Sequence, residues 1–90
     1  MDAKELENVN RVAISILRKL YLDEYIGRRH TAIENLPKGL KPKQVHYADK
    51  AIKYLFKEKL LVQKPTGYGK HVSLNHKQIR KIEAMLGIER

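Results

Sequence analysis

The sequence predicts one small α+β domain, mostly helical, spanning residues 1–90, and three observations carry that expectation. Apolar residues recur at three- and four-residue spacing in three separate segments, the period of a buried helix face. Around Pro65-Thr66-Gly67-Tyr68-Gly69 the pattern changes to short β-prone runs on either side of a turn, the mark of a hairpin. Ninety residues with 42% hydrophobic content bury one core and leave no length for a second.

The first helix is expected over residues 4–25. Leu6, Val9, Ala13, Ile16, Leu17 and Leu20 share a face, Val12 and Ile14 widen it, and Gly27 is its expected stop. Arg28-Arg29-His30 reads as a short extended link. Thr31 followed three residues later by Glu34 is a capping-box pattern, so a second, short helix starts there. Pro37 halts it, with Ile33 and Leu36 facing inward. After the turn Lys38-Gly39-Leu40-Lys41, Pro42 suits the first position of a third helix running to residue 59. Val45, Ala48, Ile52, Leu55 and Phe56 mark its apolar face. Lys43, His46, Tyr47, Lys50, Tyr54 and Lys57 fall within an arc of roughly 100° on the opposite face.

Residues 60–64 and 70–75 are the expected strands, with Val72 and Leu74 on one face and His71 and Ser73 on the other. Gly67 and Gly69 are both expected to supply unusual backbone angles at the tip. Asn75 suits the cap of a last helix in which Ile79, Ile82 and Leu86 share a face, and Gly87 suits its end. The predicted order is helix, strand, helix, helix, hairpin, helix.

Charge narrows the function. Nineteen Lys and Arg stand against ten Asp and Glu, a formal net charge of +9. Residues 27–75 carry eleven basic and three acidic groups, net +8, whereas residues 1–26 are net −1. A field concentrated in one part of the chain attracts polyanions, nucleic acid first among them. Two tyrosines on the basic face of the third helix favour contact over a merely solvated surface. No cysteine is present, which excludes disulfides and cysteine-ligated zinc. His30, His46, His71 and His76 lack the i, i+4 spacing of a helical zinc pair, so no metal and no cofactor are expected.

The Gly67–Lys70 stretch is not a phosphate-cradling P-loop. A strand follows it instead of a helix, and His71 stands where Ser or Thr belongs. Ser15 falls within a helix that reads as buried, and Ser73 lies on a strand with no predictable acid partner, so no catalytic residues and no enzyme are expected. No apolar run is long enough for a membrane span, and the polar start MDAKELENVN lacks a signal-peptide pattern. The expectation is a cytoplasmic protein, nucleoid-associated if it binds DNA.

Three stretches carry a resemblance: RRHTAIENLPKGL, AIKYLFKEKLLVQKP and TGYGKHVSLN. A helix pair followed by a hairpin in this order resembles small archaeal winged helix-turn-helix DNA-binding proteins, and the likeness covers most of the chain. The chain departs from that pattern in two places. Its turn PKGLKP is longer than usual, and Lys59 stands where glycine often ends the recognition helix. The resemblance implies a recognition helix over residues 42–59 that enters the major groove and a wing over residues 61–74 that touches the same duplex.

The partner expected is therefore double-stranded DNA, for a transcriptional regulator or a chromatin-associated factor. Lys43, Lys50 and Gln44 on the third helix, with Lys41 just before it, suit phosphates or base edges, and His46, Tyr47 and Tyr54 add donors and rings. Arg28 and Arg29 are a candidate backbone clamp, and Lys64, Thr66, Tyr68, Lys70 and His71 crowd the wing. The competing readings are a structured-RNA or ribosome-associated protein and a protein-interaction module. Tyr21, Leu22 and Tyr25, with Met85 and Ile88, either complete the core or form a patch for a homodimer through the terminal helices.

Overall fold

Asp2 opens the first helix, α1 (Ala3–Leu22), by accepting the Glu5 N–H at 2.8 Å and satisfying one of the four unpaired donors of the first turn. The structure, a computed structural model, describes residues 1–67 and 69–89. Val9, Val12, Ala13, Ile16, Leu17 and Leu20 of α1 are buried, and Leu6, expected inside, is 47% exposed. The helix ends earlier than expected. Glu24 takes the left-handed conformation, φ 62°, while Tyr25 N–H reaches the Leu20 carbonyl and Glu24 N–H the Tyr21 carbonyl. That pair of bonds is a Schellman closure, normally built on glycine. Gly27, the expected stop, lies beyond it at φ 64°, where its N–H meets the Leu74 carbonyl.

The extended pairing falls on β1 (Thr31–Ala32) and not on residues 28–30. Thr31 is therefore no helix cap. It pairs with Val72 across the sheet, and its hydroxyl accepts from the Asn35 amide at 2.9 Å. The expected second helix shrinks to one 3-10 turn, Ile33–Asn35. Pro37 forbids its extension, because the ring would collide with the Ile33 carbonyl of a continued helix. Lys19 finishes the turn from outside, donating to the carbonyls of Asn35 at 3.1 Å and Lys38 at 2.7 Å. Leu36 is buried as expected, and Ile33 packs against the core.

The long third helix is broken. A single turn, α2 (Pro42–Val45), is followed by a kink at His46 and Tyr47 and then by α3 (Ala48–Lys57). Side-chain size accounts for the break. A continuous helix would bury Val45 and leave Tyr47 outside. Here Val45 is 47% exposed and the Tyr47 ring packs against the core, which removes more apolar area from water. Ala48, Ala51, Ile52 and Leu55 form the buried face of α3.

At its end Lys59 adopts φ 60°, with Leu60 N–H on the Leu55 carbonyl and Lys59 N–H on the Phe56 carbonyl. This is the same closure as at Glu24, with lysine in glycine's place. Lys59→Gly is expected to raise stability by about 0.5–1 kcal/mol, the relief of left-handed strain less the added freedom of the unfolded chain. Urea denaturation with an unchanged m-value checks it, and a loss of stability would refute it.

The sheet is antiparallel, in the order β1-β3-β2, with β2 (Leu61–Thr66) and β3 (Gly69–Leu74) forming the hairpin. Pairing runs further toward the tip than expected, through Pro65↔Lys70 to Thr66↔Gly69. Pro65 is tolerated because β2 is an edge strand. Of the two tip glycines only Gly69, at φ 133°, has the angle that demands glycine. Gly67 does not, and a Cβ there would meet nothing within 4 Å. Asn75 caps the last segment as expected, accepting from Lys77 N–H at 3.1 Å, and α4 (Ile79–Leu86) ends at left-handed Gly87.

Leu61, Leu74 and Val72 lie on the core face of the sheet beneath α1, α3 and α4. Tyr21 donates to the buried Glu83 carboxyl at 2.7 Å, tying α1 to α4. Tyr21, Tyr25, Met85 and Ile88 pack against the core, and Leu22 of the same candidate patch is 69% exposed. Within the described residues the result is an α+β fold of four helices and a three-stranded antiparallel sheet.

Candidate nucleic-acid interface

The sequence-predicted site residues fall into three groups. The first lies where α2 meets the N-terminal half of α1. Lys43, Gln44, His46 and Tyr47 join Asn8 and Arg11 around a cleft of about 450 Å³. Gln44 is held in place by its own turn, its Oε1 accepting Lys41 N–H at 3.0 Å. The Tyr47 hydroxyl bonds the Asn8 amide at 3.2 Å, and the His46 ring stands edge-on to Tyr47 at a centroid distance of 5.0 Å. Lys41 and Lys43 are exposed.

The second group follows α3. Lys50 is committed to Glu5 of α1 in an ion pair, which lowers its availability to a ligand. Tyr54 is half-buried and packs against the core. The exposed face is thus turned away from both tyrosines. Lys53 and Lys57 lie on it, neither in an ion pair among the described residues. Lys53 is missing from the sequence-based set because it falls just outside the arc drawn for one unbroken helix.

The third group belongs to the hairpin and the corner before β1. Lys64 and His71 are cross-strand partners. His71 Nδ1 lies 2.9 Å from His30 Nδ1, with the rings edge to face. Among the described residues no group of three His, Cys, Asp or Glu could hold a metal ion. Lys70 is exposed near the tip, and the Thr66 hydroxyl donates to the Gly69 carbonyl. Tyr68, assigned to the wing tip by sequence, lies outside the described residues. Arg29 bonds Glu24 at 3.4 Å and stacks over Tyr25 at 5.4 Å, and Arg28 is exposed beside it. Neither arginine makes a hydrogen bond or ion pair to α2 or α3, so the two form a separate basic corner.

Asn8 and Arg11, like Lys53, are contributions that sequence reasoning missed. The first two sit three residues apart on α1, and nothing local indicates that this stretch faces α2. No described helix is long and apolar enough to cross a membrane. Comparison of the chain with protein-family models, with curated proteins and with solved structures gives no match.

Proposed function

We propose that this chain is a winged helix-turn-helix binder of double-stranded DNA and not an enzyme. The observation that carries the reading is a set of three exposed lysines, Lys43 on α2 and Lys53 and Lys57 on α3, in a segment whose α3 part buries its other face in the core. That segment runs directly into the hairpin of a sheet ordered β1-β3-β2. In this reading α2 and α3 together act as the recognition element. Gln44 and Lys43 are nearest the base edges, the lysines of α3 follow a phosphate strand, and Lys64, Lys70 and His71 engage the backbone from the hairpin. A role in transcription or in DNA packaging goes with it. The attraction comes mainly from counterion release, so it falls steeply with salt.

The test is fluorescence anisotropy with a labelled DNA duplex and a matched RNA duplex across a salt series. Tighter binding of DNA, with log affinity falling linearly against log salt, is the expected result. Preference for the RNA duplex would transfer the proposal to structured RNA, because A-form geometry hides the major groove from a helix. No binding of either at low salt would leave the basic segment as a solvated surface.

A further inference from the structure

We infer that the cleft between α1 and α2 holds a phosphate group. The inference deepens the DNA reading, on which it rests, by assigning α1 a part in binding.

The argument is a count of donors. Asn8 and Tyr47 bond each other at 3.2 Å. The Asn8 amide nitrogen donates to the Tyr47 oxygen, so the phenol proton and the second amide hydrogen are left over. Gln44 has given its carbonyl oxygen to Lys41 N–H, so both hydrogens of its NH₂ remain to be donated. Arg11 uses one nitrogen on Glu7 at 2.7 Å and keeps further N–H groups, and Lys43 adds an ammonium.

Among the described residues no Asp or Glu lines the cleft, and Asp2 and Glu5 line the adjoining hollow that shares Asn8, His46 and Tyr47 with it. The nearby acids are engaged elsewhere: Glu7 with Arg11, Glu5 with Lys50, and Asp2 with the first turn of α1. Five residues thus converge on this space with donors to spare, Lys43 carrying a full positive charge and Arg11 one that it shares with Glu7. A phosphate, with several anionic acceptor oxygens, answers that surplus. About 450 Å³ leaves room for the attached sugar. Both a nucleic-acid backbone and a free nucleotide carry the group.

The experiment compares wild type, Tyr47→Phe and Arg11→Gln in phosphate-free buffer. Each is titrated with the DNA duplex over a salt series, and with inorganic phosphate and a 5′-mononucleotide by calorimetry. Tyr47→Phe keeps the ring that packs on the core and removes only the hydroxyl. Arg11 is exposed, so Arg11→Gln leaves the core intact and serves alone if the tyrosine variant is not folded by circular dichroism.

Each substitution is expected to weaken duplex binding about tenfold. Arg11→Gln is expected to flatten the salt slope by less than one, because part of the Arg11 charge is already spent on Glu7, and Tyr47→Phe to leave it unchanged because no charge is lost. If the small ligands bind wild type and lose affinity in the variants while the duplex does not bind, the cleft is a free-phosphate site and the DNA reading fails. If the duplex binds all three proteins alike and no small ligand distinguishes them, the inference is overturned and the DNA reading survives. Absence of binding by every probe overturns both.

Discussion

Replacing Lys43, Lys53 and Lys57 together by Ala is expected to weaken duplex DNA binding by roughly two to three orders of magnitude near 0.1 M salt, with no loss of helix signal. Each lysine that meets one phosphate contributes about −0.9 to the slope of log affinity against log salt, so the triple variant should flatten that slope by nearly three. All three side chains are exposed and, among the described residues, free of ion pairs, so their removal costs the fold little. The slope is the informative quantity. A fall in affinity with an unchanged slope would mean that the substitutions act through the shape of α3 and not through phosphate contacts. An unchanged affinity would remove α3 from the interface and leave the hairpin and the basic corner as the sites to test. Lys50→Ala is the internal control, because Lys50 already spends its charge on Glu5. It should change the slope by less than one.

The control exists because of a detail that the sequence does not disclose. Local patterns carried much of the architecture. The buried stripe of α1, the β2–β3 hairpin, the Asn75 cap and the Gly87 stop all depend on residues within a turn or two of one another. Long-range competition decided the rest. Residues 42–59 contain no glycine and no internal proline, so the period reads as one helix. The kink at His46 and Tyr47 follows from an aromatic ring finding the core and a hydroxyl finding Asn8, 39 residues away. Thr31 had the right spacing for a cap, yet the strand pairing with Val72 claimed it. Glu24 and Lys59 occupy left-handed positions where the usual signal is glycine, so neither helix end was marked in the expected way. The candidate site divides along the same line. Lys43 and Gln44 were legible from charge and position on their own segment, whereas Arg11 joins them only because α1 packs beside α2.

Tyr21→Phe is expected to destabilise the protein by about 2 kcal/mol and to lower its melting temperature by about 10 °C. The phenol hydroxyl is a donor to Glu83, whose carboxyl is 3% exposed. Removing one donor to a buried acceptor costs more than the bond itself contributes, because desolvation of the acceptor is no longer offset. Glu83→Gln keeps an acceptor for Tyr21 and should cost less. The double variant Tyr21→Phe with Glu83→Leu should cost less than the two single changes added together, since it removes the buried polar pair as a unit. Strict additivity would mean that the 2.7 Å bond carries no coupling. The same variants separate scaffold from interface. The bond joins α1 to α4, and no basic residue of α2 or α3 takes part in it. A folded Tyr21→Phe protein should therefore bind the duplex with the wild-type salt slope. A reduced slope would mean that α1 has shifted and carried Arg11 out of register with Lys43, which would make the α1–α4 tie a determinant of the binding surface as well as of stability.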